Sequence, residues 1–161
     1  MVDDNPADLE IASIVREKMT DFTGRFVPFT SGPEALSHLA AVWAQEQERP
    51  DVIMLDVNMP RMSGLAVLRT LRQDPLWVTL PVVMFSTSAN EEMFARRDGA
   101  MDYVVKPFFL EDTMSVFRGV IDRFCKGRSP LTDTHRTVAI MRKPIGDLAA
   151  CSTLAGEGVQ F

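Results

Sequence analysis

Four short stretches of this chain end an apolar run on residues that can do chemistry. Asp3 and Asp4 follow Val2, Asp56 and Asn58 follow "VIML", Ser86 closes "VVMF", and Lys106 with Pro107 follows "YVV". Three carboxylates drawn into one crevice repel one another and push each other's pKa up unless a cation neutralises them. A hard divalent ion does so: Mg²⁺ prefers oxygen ligands, keeps several waters, and takes few protein groups alongside phosphate oxygens. In such a set Asp4 and Asp56 supply carboxylates directly, Asp3 acts through water, and the backbone carbonyl of Asn58 completes the shell. Lys106 adds a compact positive charge able to pair with a carboxylate or a phosphoryl group, and Ser86 adds a hydroxyl donor. Carboxylate, Mg²⁺, ammonium and hydroxyl together make a phosphoryl-transfer site, in which a carboxylate attacks and the cations absorb charge on the transferring oxygens.

That chemistry requires elements that bring the four stretches to one place. The runs "RFVPFT" (25–30), "DVIMLDV" (51–57), "PVVMFST" (81–87) and "DYVVKPF" (102–108) read as strands. The last three are nearly continuous apolar sequences, the pattern of parallel strands covered on both faces. Pro28 removes a ladder donor and suits the first run to a sheet edge. Helical periodicity fills the gaps. Asn5 caps a first helix that has Pro6 at its first position and Leu9, Ala12, Val15 and Met19 on one stripe. Further helices follow Gly32, Gly64 and Pro107, with a short one over residues 91–97. Alternating strands and helices predict an α/β doubly wound parallel sheet with helices on both faces. Ligands of such sheets bind at the carboxyl ends of the strands, where all four polar stretches fall.

The chain has 161 residues, 46% hydrophobic and 24% charged, which suits one ordinary domain with some spare length. No apolar run approaches the ~20 residues of a membrane-spanning helix, and no basic segment followed by an apolar one opens the chain. A cytoplasmic location is expected. A net charge of −5 argues against non-specific nucleic-acid binding. Residues 1–125 carry 12 Lys and Arg against 19 Asp and Glu, whereas residues 126–161 carry 5 against 3. Pro and Gly also recur after Cys125 and no amphipathic stripe persists. A domain over residues 1–125 is therefore expected, followed by a linker or flexible tail of no recognised fold over 126–161. Cys125 and Cys151 are too few for a disulfide framework. His38 lies in a helix away from the four stretches, and His135 lacks partners at metal-ligand spacing.

The segments "VDDNP" (2–6), "LDVNMPRMSG" (55–64), "PVVMFSTSA" (81–89) and "DYVVKPF" (102–108), in this order, resemble the response-regulator receiver domain of two-component signalling. The resemblance covers about residues 1–125. The lead-in "DPLWVTLPVV" and "FSTSA" look most like stand-alone receivers found beside phytochromes and other sensor kinases. It implies a flavodoxin-like five-stranded parallel sheet of order 2-1-3-4-5. It also implies that Asp56 accepts a phosphoryl group from a sensor histidine kinase. Asp3 and Asp4 become the acidic pair for Mg²⁺, Asn58 the carbonyl ligand, Ser86 the hydroxyl switch, Tyr103 the aromatic switch and Lys106 the phosphate-pairing cation. The Lys106–Pro107 bond would be cis. Signalling would pass to a downstream protein partner or phosphotransfer protein, with a homodimer left open and no contact with nucleic acid or membrane. Such a module is not an enzyme beyond its own phosphotransfer and autodephosphorylation.

The sequence departs from the family pattern at its start, where only Met1 and Val2 precede the acidic pair, so the first strand is truncated. The alternative reading is a pseudo-receiver or truncated fragment that binds a partner without being phosphorylated. The stretch from Ser86 to Lys106 is also slightly short. A phosphatase using Asp56 as nucleophile would want a second carboxylate two residues on, and the amide of Asn58 cannot transfer protons.

Overall fold

Uninterrupted apolar, β-branched sequence makes strands here because both faces are covered. Ile53–Leu55 (β1) and Val82–Ser86 (β2) are buried at every position, while Asp102–Val105 (β3) ends half exposed. The computed structural model describes residues 1–45 and 49–125. The strands pair in parallel in the order β1-β2-β3, with Ile53 opposite Val82 and Val83 opposite Asp102. Among the described residues five helices alternate with them: Pro6–Lys18 (α1), Gly32–Ala44 (α2), Gly64–Gln73 (α3), Glu92–Arg97 (α4) and Leu110–Phe124 (α5). α1 packs on α5, and α2 on α3, which in turn meets α4, so helices cover the two faces of an α/β parallel sheet. None of them is long and apolar enough to cross a membrane. The tail expected over residues 126–161, with His135 and Cys151, lies outside the described residues.

Five regular strands were expected and three are present among the described residues. The two segments that should precede β1 contribute parallel bridges instead, because Val2 bridges both Phe29 and Leu55. Their hydrogen bonds alternate as in a parallel ladder. The Met1 nitrogen donates to the Val27 carbonyl at 3.0 Å, Phe29 donates to Met1 at 2.9 Å, and Asp3 donates to Phe29 at 3.0 Å. On the other side Val2 donates to Met54 and Asp56 donates to Val2, both at 2.9 Å. Residues 1–3 thus sit between residues 27–29 and β1, and the order 2-1-3-4-5 survives with its first two members cut to bridges. The place of the first strand is filled by residues 1–3, with Met1 and Val2 2% and 1% exposed. Pro28 is tolerated because Val27 and Phe29 face Met1, which turns the position without an N–H toward the sheet edge.

Local chemistry starts the helices beside these strand ends. The Asn5 side chain accepts from the Ala7 N–H at 3.1 Å with Pro6 at the first helical position, as the sequence predicts. Ser63 caps α3 in the same way, accepting from Ala66. Gly64 then lets α3 start against β1. Its N–H donates to the Val57 carbonyl at 2.9 Å, and a Cβ there would lie 2.0 Å from the Asp56 carbonyl oxygen. The backbone of the neighbouring strand cannot give way as a flexible side chain could. Gly64→Ala is therefore expected to destabilise the fold by about 1–3 kcal/mol through overpacking. Urea unfolding should show a lower midpoint at unchanged slope; an unchanged midpoint would mean that α3 can shift away from β1.

Candidate functional site

Register alone sets two of the acidic residues side by side. Because Val2 is hydrogen-bonded to both Met54 and Asp56, Asp3 and Asp56 leave adjoining segments at the same level. Both are buried, at 1% and 4% exposure, whereas Asp4 is exposed. One carboxylate oxygen from each of Asp3, Asp4 and Asp56 lies within 4.8 Å of the others. An all-oxygen set of this size, without Cys or His, fits a hard divalent cation of the Mg²⁺ type.

Buried carboxylates need donors, since a desolvated charge without partners is strongly unfavourable. The Asn5 N–H donates to Asp3 Oδ1 at 3.0 Å, and the Asn58 N–H to Asp56 Oδ2 at 2.8 Å. Lys106 supplies the rest. Its Nζ donates to Asp3 Oδ2 at 2.7 Å and to Asp8 Oδ2 at 2.8 Å, and stands 2.9 Å from Asp56 Oδ1. The sheet aims this lysine, because its own N–H donates to the Ser86 carbonyl at 2.7 Å and so extends the β2–β3 ladder past Val105. The side chain is 10% exposed, with the ammonium 5.8 Å from the Phe85 ring centroid.

The electrostatics follow from this packing. Burial works against the Lys106 ammonium, yet its hydrogen bonds to Asp3, Asp8 and Asp56 outweigh burial and raise its pKa above the ordinary lysine value. Asp3 goes the other way. Burial pushes its carboxyl up to about 6 against the lowering effect of Lys106 and Asn5, and the nearby charge of Asp56 adds to the rise. Desolvation is thus the main cause of the rise at Asp3, and repulsion from Asp56 is the smallest contribution.

The remaining expected residues lie one layer away. Ser86, at the end of β2, is fully buried and its Oγ accepts from the Ser88 N–H at 3.4 Å. Tyr103, on β3, is buried with its hydroxyl donating to the Ser88 carbonyl and standing 3.4 Å from Glu91 Oε2. The two therefore meet at the backbone of one residue, Ser88. The cis Lys106–Pro107 bond implied by the family resemblance is absent: no cis peptide occurs among the described residues, and this bond is trans, the lower-energy form of an X–Pro amide. His38 stays outside the site, packed on Phe29 with ring centroids 5.1 Å apart. Asp8 is the residue that sequence reading missed. The signal was present in its place, in the first turn of a helix starting directly after the acidic pair, four residues beyond Asp4.

Comparison with known proteins agrees with this geometry. The response regulator receiver domain family matches residues 1–118. The chain is 32% identical over 125 residues to the transcriptional regulatory protein KdpE of Mycobacterium tuberculosis, covering 76% of this chain and 50% of that protein. It is 37% identical over 92 residues to the response regulator MprA of Mycobacterium avium, covering 57% and 38%. The chain spans about half the length, or less, of these curated relatives. Among solved structures it is similar to the phosphorylated cyanobacterial phytochrome response regulator RcpA, with a TM-score of 0.69, 28% identity and coverage of 80% and 93%. The bacteriophytochrome response regulator AtBRR gives a TM-score of 0.64, 29% identity and coverage of 82% and 94%. With its fold, its strand-end carboxylates and this match in agreement, the chain belongs to the response regulator receiver domain family of two-component systems.

Proposed function

We propose that Asp56 is a phosphoacceptor charged by a sensor histidine kinase, and that phosphorylation changes a surface read by another protein. The observation that carries this reading is the buried Lys106 ammonium 2.9 Å from Asp56 and 2.7 Å from Asp3. A carboxylate oxygen of Asp56 forms the new bond to phosphorus while the bond from phosphorus to the donor's imidazole nitrogen breaks, and the imidazole leaves with that electron pair. Lys106 faces the charge on the transferring oxygens. Asp3, Asp4 and Asp56, with the Asn58 carbonyl, are the groups that would hold Mg²⁺. Bound there, the ion would offset that same charge. The pseudo-receiver reading drew on an incomplete first strand; residues 1–3 filling that place favour the phosphoacceptor reading instead.

The added charge of about −1.5 to −2 on a phosphorylated group draws donors toward it. Lys106 and the Asn58 N–H already meet Asp56, and the Ser86 hydroxyl at the end of β2 is the switch donor in this reading. A shift of the Ser86 hydroxyl disturbs Ser88, whose carbonyl holds Tyr103, and so reaches α4 and β3. Met93, Phe94, Met101 and Val105 on that side are exposed, which suits contact with a downstream protein or a second copy of the chain. A cytoplasmic setting goes with this reading. We assign the receiver to residues 1–125 and regard 126–161 as a tail outside it, on composition and charge.

Acetyl phosphate with Mg²⁺ should raise the intact mass by one phosphoryl group in the wild type and not in Asp56→Asn. Ser86→Ala should still be phosphorylated but show smaller amide shifts around Tyr103; wild-type-sized shifts would remove the hydroxyl from the coupling. A chain ending at Cys125 should melt within a few degrees of the full one, and a large loss would place the tail inside the domain.

Asp3 ties metal binding to pH. Without metal, folding stability from this group is fully present below its unfolded pKa of 3.8 and is lost as pH rises through about 6. Mg²⁺ takes the deprotonated form, so its affinity should fall as pH drops from about 7 to about 5. Isothermal titration should show this fall in the wild type and a weaker one in Asp3→Asn. Equal pH dependence in both proteins would take Asp3 out of the metal site.

A further inference from the structure

Lys106 has three ammonium hydrogens and three carboxylate neighbours, Asp3, Asp8 and Asp56, at 2.7, 2.8 and 2.9 Å. Asp8 differs from the other two. It is not among the three carboxylates whose oxygens cluster within 4.8 Å, so a cation held there would draw on Asp3 and Asp56 but not on Asp8. It reaches the ammonium from the first turn of α1, whereas Asp3 and Asp56 belong to the paired segments of the sheet. Beside the ammonium lies a cavity of about 190 Å³, whose walls include Asp8, Ile11, Phe85, Pro107, Phe109 and Phe117. A lysine stem has several rotatable bonds and the apolar cavity gives it room to swing away from Asp56. Asp8 lines that cavity together with Lys106 itself.

We propose that Asp8 is a positioning residue for phosphoryl transfer: by accepting one ammonium hydrogen from the α1 side, it aims another at Asp56. The proposal rests on the phosphoacceptor reading of Asp56 and extends it to a residue that touches neither the phosphoryl group nor the metal set. Asp3 alone does not fix the ammonium direction, because a single acceptor leaves the stem free to rotate about that contact. Two carboxylates on different segments fix it, and the third hydrogen then points where charge accumulates on the transferring oxygens. A purely local role for Asp8 would be that of a first-turn acid at the helix N-terminus, which stabilises α1 without touching the reaction.

The test follows phosphorylation of the full chain by acetyl phosphate at saturating Mg²⁺, read by intact mass over time, in wild type, Asp8→Ala and Asp8→Asn. Asp8→Ala should slow on the order of tenfold, the scale expected for a misplaced catalytic group. Asp8→Asn keeps an oxygen acceptor and should stay within about threefold of wild type. Melting temperature and Mg²⁺ affinity should change little in either. A second readout needs no phosphorylation: the ¹⁵N-detected Lys106 ammonium signal, protected by three acceptors, should broaden in Asp8→Ala and persist in Asp8→Asn. Wild-type speed in Asp8→Ala, or an Asn variant as slow as the Ala one, overturns the proposal, and so does an unchanged ammonium signal. Loss of melting temperature in both variants with unchanged rates assigns Asp8 to helix stability alone. If the wild type itself takes up no phosphoryl group, the phosphoacceptor reading fails, and the ammonium signal still reports whether Asp8 holds Lys106.

Discussion

A buried ammonium shared by three carboxylates is the constraint around which this molecule is arranged. Lys106 is 103 residues from Asp3 and 98 from Asp8 in sequence, yet its Nζ contacts both and also Asp56. At an exposed position such pairs would contribute little, being screened by water and opposed by side-chain entropy. Here the side chains of Lys106, Asp3 and Asp56 are 10%, 1% and 6% exposed, so screening is weak and each charge depends on the others. Removing Lys106 would leave Asp3 and Asp56 as uncompensated buried charges, which typically costs about 3–5 kcal/mol, whereas Asp8, at 25% side-chain exposure, can be hydrated in its place. The start of the chain, the end of β1 and the end of β3 are consequently held to one another by charge as well as by the sheet.

The sheet meets that demand with little backbone. Residues 1–3 do the work of a central strand because a parallel ladder needs only alternate residues to bond each neighbour. Met1 and Asp3 face residues 27–29, and Val2 faces Met54 and Asp56. Burial of Met1 and Val2 supplies the apolar contacts that a longer strand would spread over more residues. Gly64 completes the enclosure, since its missing side chain lets the N-terminus of α3 lie against the Asp56 backbone. Asp56 is thereby fixed through its own main chain, with the Asn58 N–H on one carboxylate oxygen and Lys106 on the other.

Ser88 joins the site to the surface in a similarly economical way. Its N–H meets the buried Ser86 hydroxyl and its carbonyl meets the Tyr103 hydroxyl, so one peptide segment senses both. The Ser88 N–H lies at 3.4 Å from Ser86, a long contact compared with the 2.7 Å bond from the Lys106 N–H to the Ser86 carbonyl. Of the two contacts at this corner the ladder bond is the shorter, and the hydroxyl is held by the longer one. Glu91, 3.4 Å from the Tyr103 hydroxyl, brings the start of α4 into the same group.

Sequence by itself determined the elements and the chemical inventory, because both are written in short-range pattern. Continuous burial of "VIML" and "VVMF" demanded strands covered on two sides, Asn5 and Pro6 marked a helix start, and the polar residue closing each run placed Asp3, Asp56, Ser86 and Lys106 at strand ends. Tertiary structure decided what depends on distance through space. Whether two residues ahead of the acidic pair suffice for a strand turned on the bridges of Val2 to Phe29 and Leu55, which no local pattern encodes. The trans form of the Lys106–Pro107 bond was equally illegible, since both isomers of an X–Pro amide lie close in energy. Asp8 was not singled out by local pattern, because its contact with Lys106 spans 98 residues of sequence and exists only in the folded chain. That Asp3 is pushed up to about 6 follows from its burial at a place assembled by residues far apart in the chain. Propensity and periodicity act over a few residues, whereas desolvation and Coulomb interaction act between groups that only the folded chain brings together.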